Sequence, residues 1–159
     1  MFNKTVWVHG ETIAENFLKN KGYKIIDKNC KIGGSELDIV AILPKKQQKT
    51  DLITNFKQQL KDDEFKDKYE KKFNKIKLLN QIKVLKDIIV FVEVKARFSK
   101  KFGNPYEAVD EFKQHNLARG CTAYLLKNNK KNLPSRIDVI SVVDDEIIHI
   151  ENAFEVRGY

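Results

Sequence analysis

SELDIVAIL, residues 35–43, and DIIVFVEVKARF, residues 87–98, are apolar runs broken by charged side chains at alternate positions. Successive side chains of a strand point to opposite faces. Glu36 and Asp38 therefore share a face of the first strand, and Glu93 and Lys95 share a face of the second. Antiparallel pairing of Asp38 with Glu93 brings two carboxylates and an ammonium to one spot on a sheet, and it sets Leu43 opposite Ile88. The same face carries Val40, Ile42, Ile89 and Phe91, which argues against a wholly solvated charged surface. Mg²⁺ takes hard oxygen ligands, needs only one or two carboxylates and keeps several waters. Asp38 and Glu93 supply two such ligands, and the main-chain carbonyl of Val94 is a third candidate. Lys95, one strand period beyond Glu93, is positioned to meet an attacking water and the negative charge that develops on a phosphate. A Glu-x-Lys strand end is common by itself. The in-register partnership with Glu-Leu-Asp is what makes the pair informative.

Outward from these strands the chain alternates between the two structural periods. Residues 10–21, GETIAENFLKNK, predict a helix stopped by Gly22. On its wheel Ile13, Ala14, Phe17 and Leu18 form the buried stripe, with Glu11 at the edge of that stripe and Glu15 farther out. Tyr23–Asn29 predicts a strand, and Gly33-Gly34 turns it into the Asp38 strand. Pro44 ends that strand. After Glu93 and Lys95, FSKKFGNP predicts a loop, Tyr106–Asn128 a helix with Ala108, Val109, Phe112, Leu117, Cys121, Tyr124 and Leu125 as its apolar set, and Arg136–Val143 and Glu146–Ile150 two further strands joined at Asp144-Asp145.

Residues 44–87 are different in kind. They carry 13 Lys and 7 acids, with no Gly. Apolar residues recur every three or four positions, at Leu52, Ile53, Phe56 and Leu60 and again at Phe65, Tyr69, Phe73, Ile76 and Leu79, which predicts two amphipathic helices. Asp62-Asp63 is a candidate cap for the second. The segment reads as a helical insertion at the tip of the hairpin, and a DNA-binding arm, a partner-docking helix and a tolerated surface addition all fit it. The order α-β-β-(insertion)-β-α-β-β over 159 residues implies an α/β fold in a single domain, residues 1–159, with a mixed central sheet flanked by helices.

The net charge is +8 and the pI about 9.3, which suits a polyanionic partner. Of 30 basic residues only Arg97, Arg119, Arg136 and Arg157 are arginine, the better bidentate phosphate reader, so charge alone does not establish nucleic acid. No run of 18 apolar residues is present to span a membrane. Cys30 and Cys121 stand apart, as expected of reduced thiols in a cytoplasmic protein.

Several segments in order, GETIAENFLKNKGYKIIDKN, GGSELDIVA, IVFVEVKARFSKKFGNPYEAV, LARGCTAYL, RIDVI and HIENAF, resemble the YraN family of predicted endonucleases. That family belongs to the PD-(D/E)xK nuclease superfamily and is similar to archaeal Holliday-junction resolvases. The resemblance covers nearly all of the chain except the insertion. It implies a restriction-endonuclease-like fold and a Mg²⁺- or Mn²⁺-dependent endonuclease acting on DNA, with branched or damaged DNA foremost and a homodimer as the assembly. It maps the catalytic set onto Glu11, Asp38, Glu93 and Lys95, and the metal ligands onto Asp38, Glu93, Glu11 and Val94. Two departures stand out: Leu37 replaces the motif's proline, and residues 44–87 separate Asp38 widely from Glu93. Arg97, Lys113 and Gln114 are candidate nucleic-acid contacts, with Arg119 a weaker one. His115 is expected at the surface, and His149 is expected to make a structural hydrogen bond. The rival reading is a non-catalytic nucleic-acid-binding or interaction module on the same fold.

Overall fold

The computed structural model describes residues 2–62, 68–97, 110–143 and 146–154, with side chains for 9–61, 70–96, 110–143 and 146–154. The elements run α1 (Phe2–Asn20), β1 (Lys24–Ile32), β2 (Ser35–Leu43), α2 (Lys45–Asp62), α3 (Lys68–Lys83), β3 (Ile88–Arg97), α4 (Glu111–Lys127), β4 (Ser135–Val143) and β5 (Glu146–Phe154). The strands form one sheet in chain order. Only β3 and β4 are parallel, and α4 makes the crossover that a parallel pair needs. α1 covers one face, where Ala14 and Leu18 pack on Ile39, Val90, Val92 and Ile140. α4 covers the other, where Leu117, Cys121 and Tyr124 pack on Val40, Phe91 and Val139. This mixed sheet between helices is a restriction-endonuclease-like fold. No helix among the described residues is long and apolar enough to cross a membrane.

The two central strands pair as their alternation requires. The β2–β3 ladder runs from Leu43↔Ile88 to Ile39↔Val92. Gly33 and Gly34 both have positive φ, 60° and 75°, as a two-residue hairpin turn demands. Gly22, at φ 84°, closes α1. Its N–H reaches Lys19 O and that of Tyr23 reaches Leu18 O, a Schellman stop.

Three expectations need correction. The first helix does not begin near Gly10 but runs from Phe2. Gly10 lies inside it because a Cβ there would overlap Ala96 of β3. The glycine serves close packing of helix on strand, and sequence alone cannot separate that use from a helix boundary. α4 begins at Glu111, capped by an extended Asp110 that accepts the Lys113 N–H. That cap turns Phe112 outward, 77% exposed rather than part of the core. Residues 98–109, including Ala108 and Val109, lie outside the described residues, as do Asp144-Asp145. Finally, Asp62 ends α2 instead of capping α3, while Asp63 and Phe65 lie outside the described residues.

The helical pair leaves and rejoins the sheet at one point. The Lys45 N–H donates to Asp87 Oδ1 at 2.7 Å, an acid placed at the N-terminus of α2. The Gln48 side-chain amide donates to Lys86 O at 2.7 Å and Leu43 O at 3.2 Å. Replacing residues 45–86 by a short turn is expected to leave a cooperatively unfolding protein, because the strand register is complete at Leu43↔Ile88. A broad, non-cooperative urea transition would show that the helices belong to the core.

On the α1 face Asp138 is fully buried. Its Oδ2 accepts from Arg136 at 3.1 Å and lies 2.9 Å from His149 Nε2; its Oδ1 accepts the Asn152 N–H at 2.9 Å. Arg136 Nε is 3.0 Å from Asp138 Oδ1 as an ion-pair contact, not a well-aligned hydrogen bond. Arg136 also donates to the Tyr23 hydroxyl, and Glu151 faces it at 2.9 Å. His149 thus makes a structural contact in this network. Asp138→Ala is expected to destabilise the fold by about 3 kcal/mol, since it breaks a buried ion pair and leaves the Arg136 guanidinium only the Tyr23 hydroxyl and the half-exposed Glu151; a urea midpoint within error of wild type would refute that.

Candidate active site

Asp38 and Glu93 reach their positions for different reasons. Glu93 is 3% exposed, on the α4 side of β3. Its Oε1 is gripped by two ammonium groups, Lys95 Nζ at 2.8 Å and Lys113 Nζ of α4 at 3.2 Å. Its Oε2 is buried without a hydrogen-bond partner. Asp38 lies one residue beyond the end of the β2–β3 ladder. There its Oδ2 accepts the Val94 N–H at 2.8 Å, so a side chain continues the pairing where the backbone stops. A strand residue presents its N–H and C=O to the same neighbour, which turns the Val94 carbonyl towards Asp38.

The electrostatics are those of two carboxylates forced together. Burial first, and the Glu93 charge second, push Asp38 up to about 7. The Val94 N–H and Lys113 act against this shift, and Glu11 adds to it. The pair is thus strained electrostatically without a further cation.

Glu11 is partly buried at the edge of this group, where Asn29 Nδ2 donates to its Oε2 at 3.2 Å. Asn29 has φ 50°, an irregular position in β1 facing the end of the ladder. Glu15, expected farther from the sheet, is drawn to β1 by Lys28 at 2.8 Å. The contact ridge of α1 is Gly10–Ala14–Leu18, which rotates both glutamates nearer the sheet than the apolar stripe suggests. Among the described residues no three carboxylate, imidazole or thiol groups converge on one point.

The other candidates divide. Lys113 reaches Glu93 with its ammonium while its side chain stays 37% exposed. Gln114 is half-buried on the adjoining ridge of α4. The side chain of Arg97 lies outside the described residues. Arg119 donates to Gly33 O at 3.0 Å and ties α4 to the hairpin turn. His115 is exposed. Sequence reasoning missed Ser141, whose hydroxyl is buried without a partner and whose residue pairs with Lys95 in the parallel register. The available signal was a lone hydroxyl inside the apolar strand IDVISVV, where burial penalises an unpaired polar group.

The donor set fits a hard divalent cation. Two carboxylates, one oxygen of which is buried and unsatisfied, together with a nearby carbonyl, match what Mg²⁺ uses when water and phosphate complete its shell.

A family model described as "Uncharacterised protein family UPF0102" matches residues 10–142. The chain belongs to the UPF0102 family. This is the YraN family that the sequence segments resemble. A UPF0102 protein of Clostridioides difficile strain 630 is 32% identical over 156 residues, spanning 97% of this chain and 100% of its own length. One from Alkaliphilus oremlandii is 35% identical over 158 residues, with 96% and 99% spanned. A third, from Caldanaerobacter subterraneus subsp. tengcongensis, is 34% identical over 160 residues, with 95% of each chain spanned. Glu11, Asp38, Glu93, Lys95 and Lys113 all fall inside the UPF0102 match, and His149 lies beyond it.

Proposed function

We propose that this protein is a Mg²⁺- or Mn²⁺-dependent endonuclease that hydrolyses phosphodiester bonds in DNA. The observation that carries the reading is the Asp38–Glu93 pair: two close carboxylates, one with an unpartnered buried oxygen, the other pushed up to about 7 by burial and by its neighbour. A bound divalent ion would relieve that repulsion, polarise the phosphodiester and lower the pKa of a water so that, once it gives up a proton to solvent, it can attack the phosphorus as the P–O ester bond breaks and the leaving alkoxide takes up a proton. Asp38 and Glu93 would hold the ion, with the Val94 carbonyl beside them. Lys95 pairs with Glu93 at 2.8 Å and, were that charge shared with a cation, would be free to donate to the attacking water and to the phosphate oxygens. Lys113 holds the same carboxylate from α4 and is near enough to contact the phosphate. Glu11 adds negative charge at the rim.

A non-catalytic nucleic-acid-binding module is favoured by one observation. Lys95 and Lys113 already satisfy Glu93 Oε1, which makes a closed salt bridge without any ion. Calorimetric titration separates the two readings. Mn²⁺ or Mg²⁺ is expected to bind wild type saturably and to lose at least about tenfold in affinity for Asp38→Asn, since even a partner that only orients a ligand is worth about that much. Absence of a titratable ion site in wild type, with intact DNA binding, would establish the module instead.

A further inference from the structure

α3 is apolar on two sides. Leu78 and Ile82 turn one side to α2 and are half-buried. Phe73, Ile76 and Leu79, followed by Val84 in the turn that ends the helix, are 67, 49, 55 and 74% exposed. Nothing among the described residues covers them. Phe73, Ile76, Lys77, Asn80, Gln81 and Val84 line a shallow groove of about 400 Å³. At 100° per residue, Phe73, Ile76 and Asn80 make one stripe, and Val84, in the turn just past the helix, lines the same groove. Lys72 and Lys83 flank it on one edge and Lys77 on the other.

We propose that this groove docks an amphipathic helix of another protein, one whose apolar seam is bordered by Asp or Glu. Three features select that occupant. Lysines on both edges oppose a second copy of the same face, because like charges would meet along both borders. The Asn80 amide in the middle of the stripe disfavours a bilayer, where it would lose water without gaining a partner; a protein helix offers a polar group opposite. Duplex DNA would engage the lysines but gain nothing from Ile76 and Val84, since phosphate contacts reward only charge. An acidic-bordered helix satisfies seam, amide and lysines together, by the spacing used when helices lie in grooves.

The test uses the full chain and a labelled synthetic helix of about 18 residues, with a Leu seam spaced i, i+3, i+4 and i+7 that carries one central Gln to meet the Asn80 amide, and Glu on both borders. Fluorescence anisotropy is expected to show saturable binding that weakens with salt. Phe73→Asp with Ile76→Asp, and separately Lys72→Glu with Lys77→Glu and Lys83→Glu, should each weaken it at least tenfold while circular dichroism stays unchanged. All five positions lie on the helix face away from α2, so the second set tests the idea even if the first perturbs α3. A peptide with Lys borders should not bind. The proposal is overturned if the Glu peptide fails to bind, if either variant binds it as wild type does, or if the Lys peptide binds equally well. It is also overturned if Phe73→Asp with Ile76→Asp abolishes self-association in the ultracentrifuge, binding to phosphatidylserine vesicles or binding to duplex DNA, but not binding to the peptide.

Discussion

The Lys95→Ala protein is expected to cut DNA about 10²–10³-fold more slowly than wild type while binding it with nearly unchanged affinity. The Lys95 side chain is 16% exposed and its ammonium rests 2.8 Å from Glu93 Oε1, so its charge is already engaged by a carboxylate. Its interaction grows only as negative charge builds on the phosphate, and a contact made chiefly in the transition state changes rate more than affinity. Lys113 keeps a hand on Glu93 at 3.2 Å, so the carboxylate is not stranded and the fold should survive. Single-turnover cleavage of linear and branched duplexes, together with anisotropy on the same substrates, checks both halves. Wild-type-like cutting by the variant would place the chemistry elsewhere, or in a contaminant.

Asp38→Asn should make the metal-free protein more stable and the metal-loaded protein inactive. The asparagine oxygen can still accept the Val94 N–H, and the charge that Glu93 repels is gone. The sign of the pH effect follows from the direction of the shift. Asp38 is raised from 3.8 to about 7 in the folded chain, so between those values the native state holds a proton that the unfolded state has lost. Its contribution is therefore most favourable at low pH and declines as pH rises towards 7, reaching its full penalty above that. At pH 8 the substitution is expected to stabilise by about 2 kcal/mol, discounted for partial exposure, or roughly 4 °C in Tm. Wild type should recover that deficit on adding Mg²⁺, and the variant should not respond. Thermal unfolding of both proteins at pH 5 and pH 8, with and without Mg²⁺, reads the whole pattern. A destabilised variant at pH 8 would mean that Asp38 is held by favourable contacts rather than strained.

The hairpin register was legible because alternation allows only one pairing that buries Val40 and Phe91 and ends both strands together, and Leu43↔Ile88 follows from it. The shared face of Glu93 and Lys95 follows from the same period. Lys113 could be named but not assigned, because which ridge of a helix meets a carboxylate depends on how the helix crosses the sheet. Tyr23 and Arg136 are joined by a hydrogen bond across 113 positions, a distance over which local periodicity says nothing. Ser141 was passed over because a single hydroxyl in a strand does not reveal whether a partner faces it. α3 was read as having one apolar stripe, since the pattern that predicts a helix looks for a single buried side, and a second side shows only once the neighbouring helix is in place.

The two chain crossings at Lys45 and Asp87 make the tip of this hairpin an evolutionary port. Whatever is spliced between them inherits a ready-made hydrogen-bonded collar and stands about 17 Å from Asp38, at some 3.3 Å for each intervening strand residue. A cassette placed there can be enlarged, trimmed or exchanged while Asp38 and Glu93 keep their spacing, because the strand register is complete at Leu43↔Ile88. For the same reason the tip is a natural place to graft a fluorescent reporter.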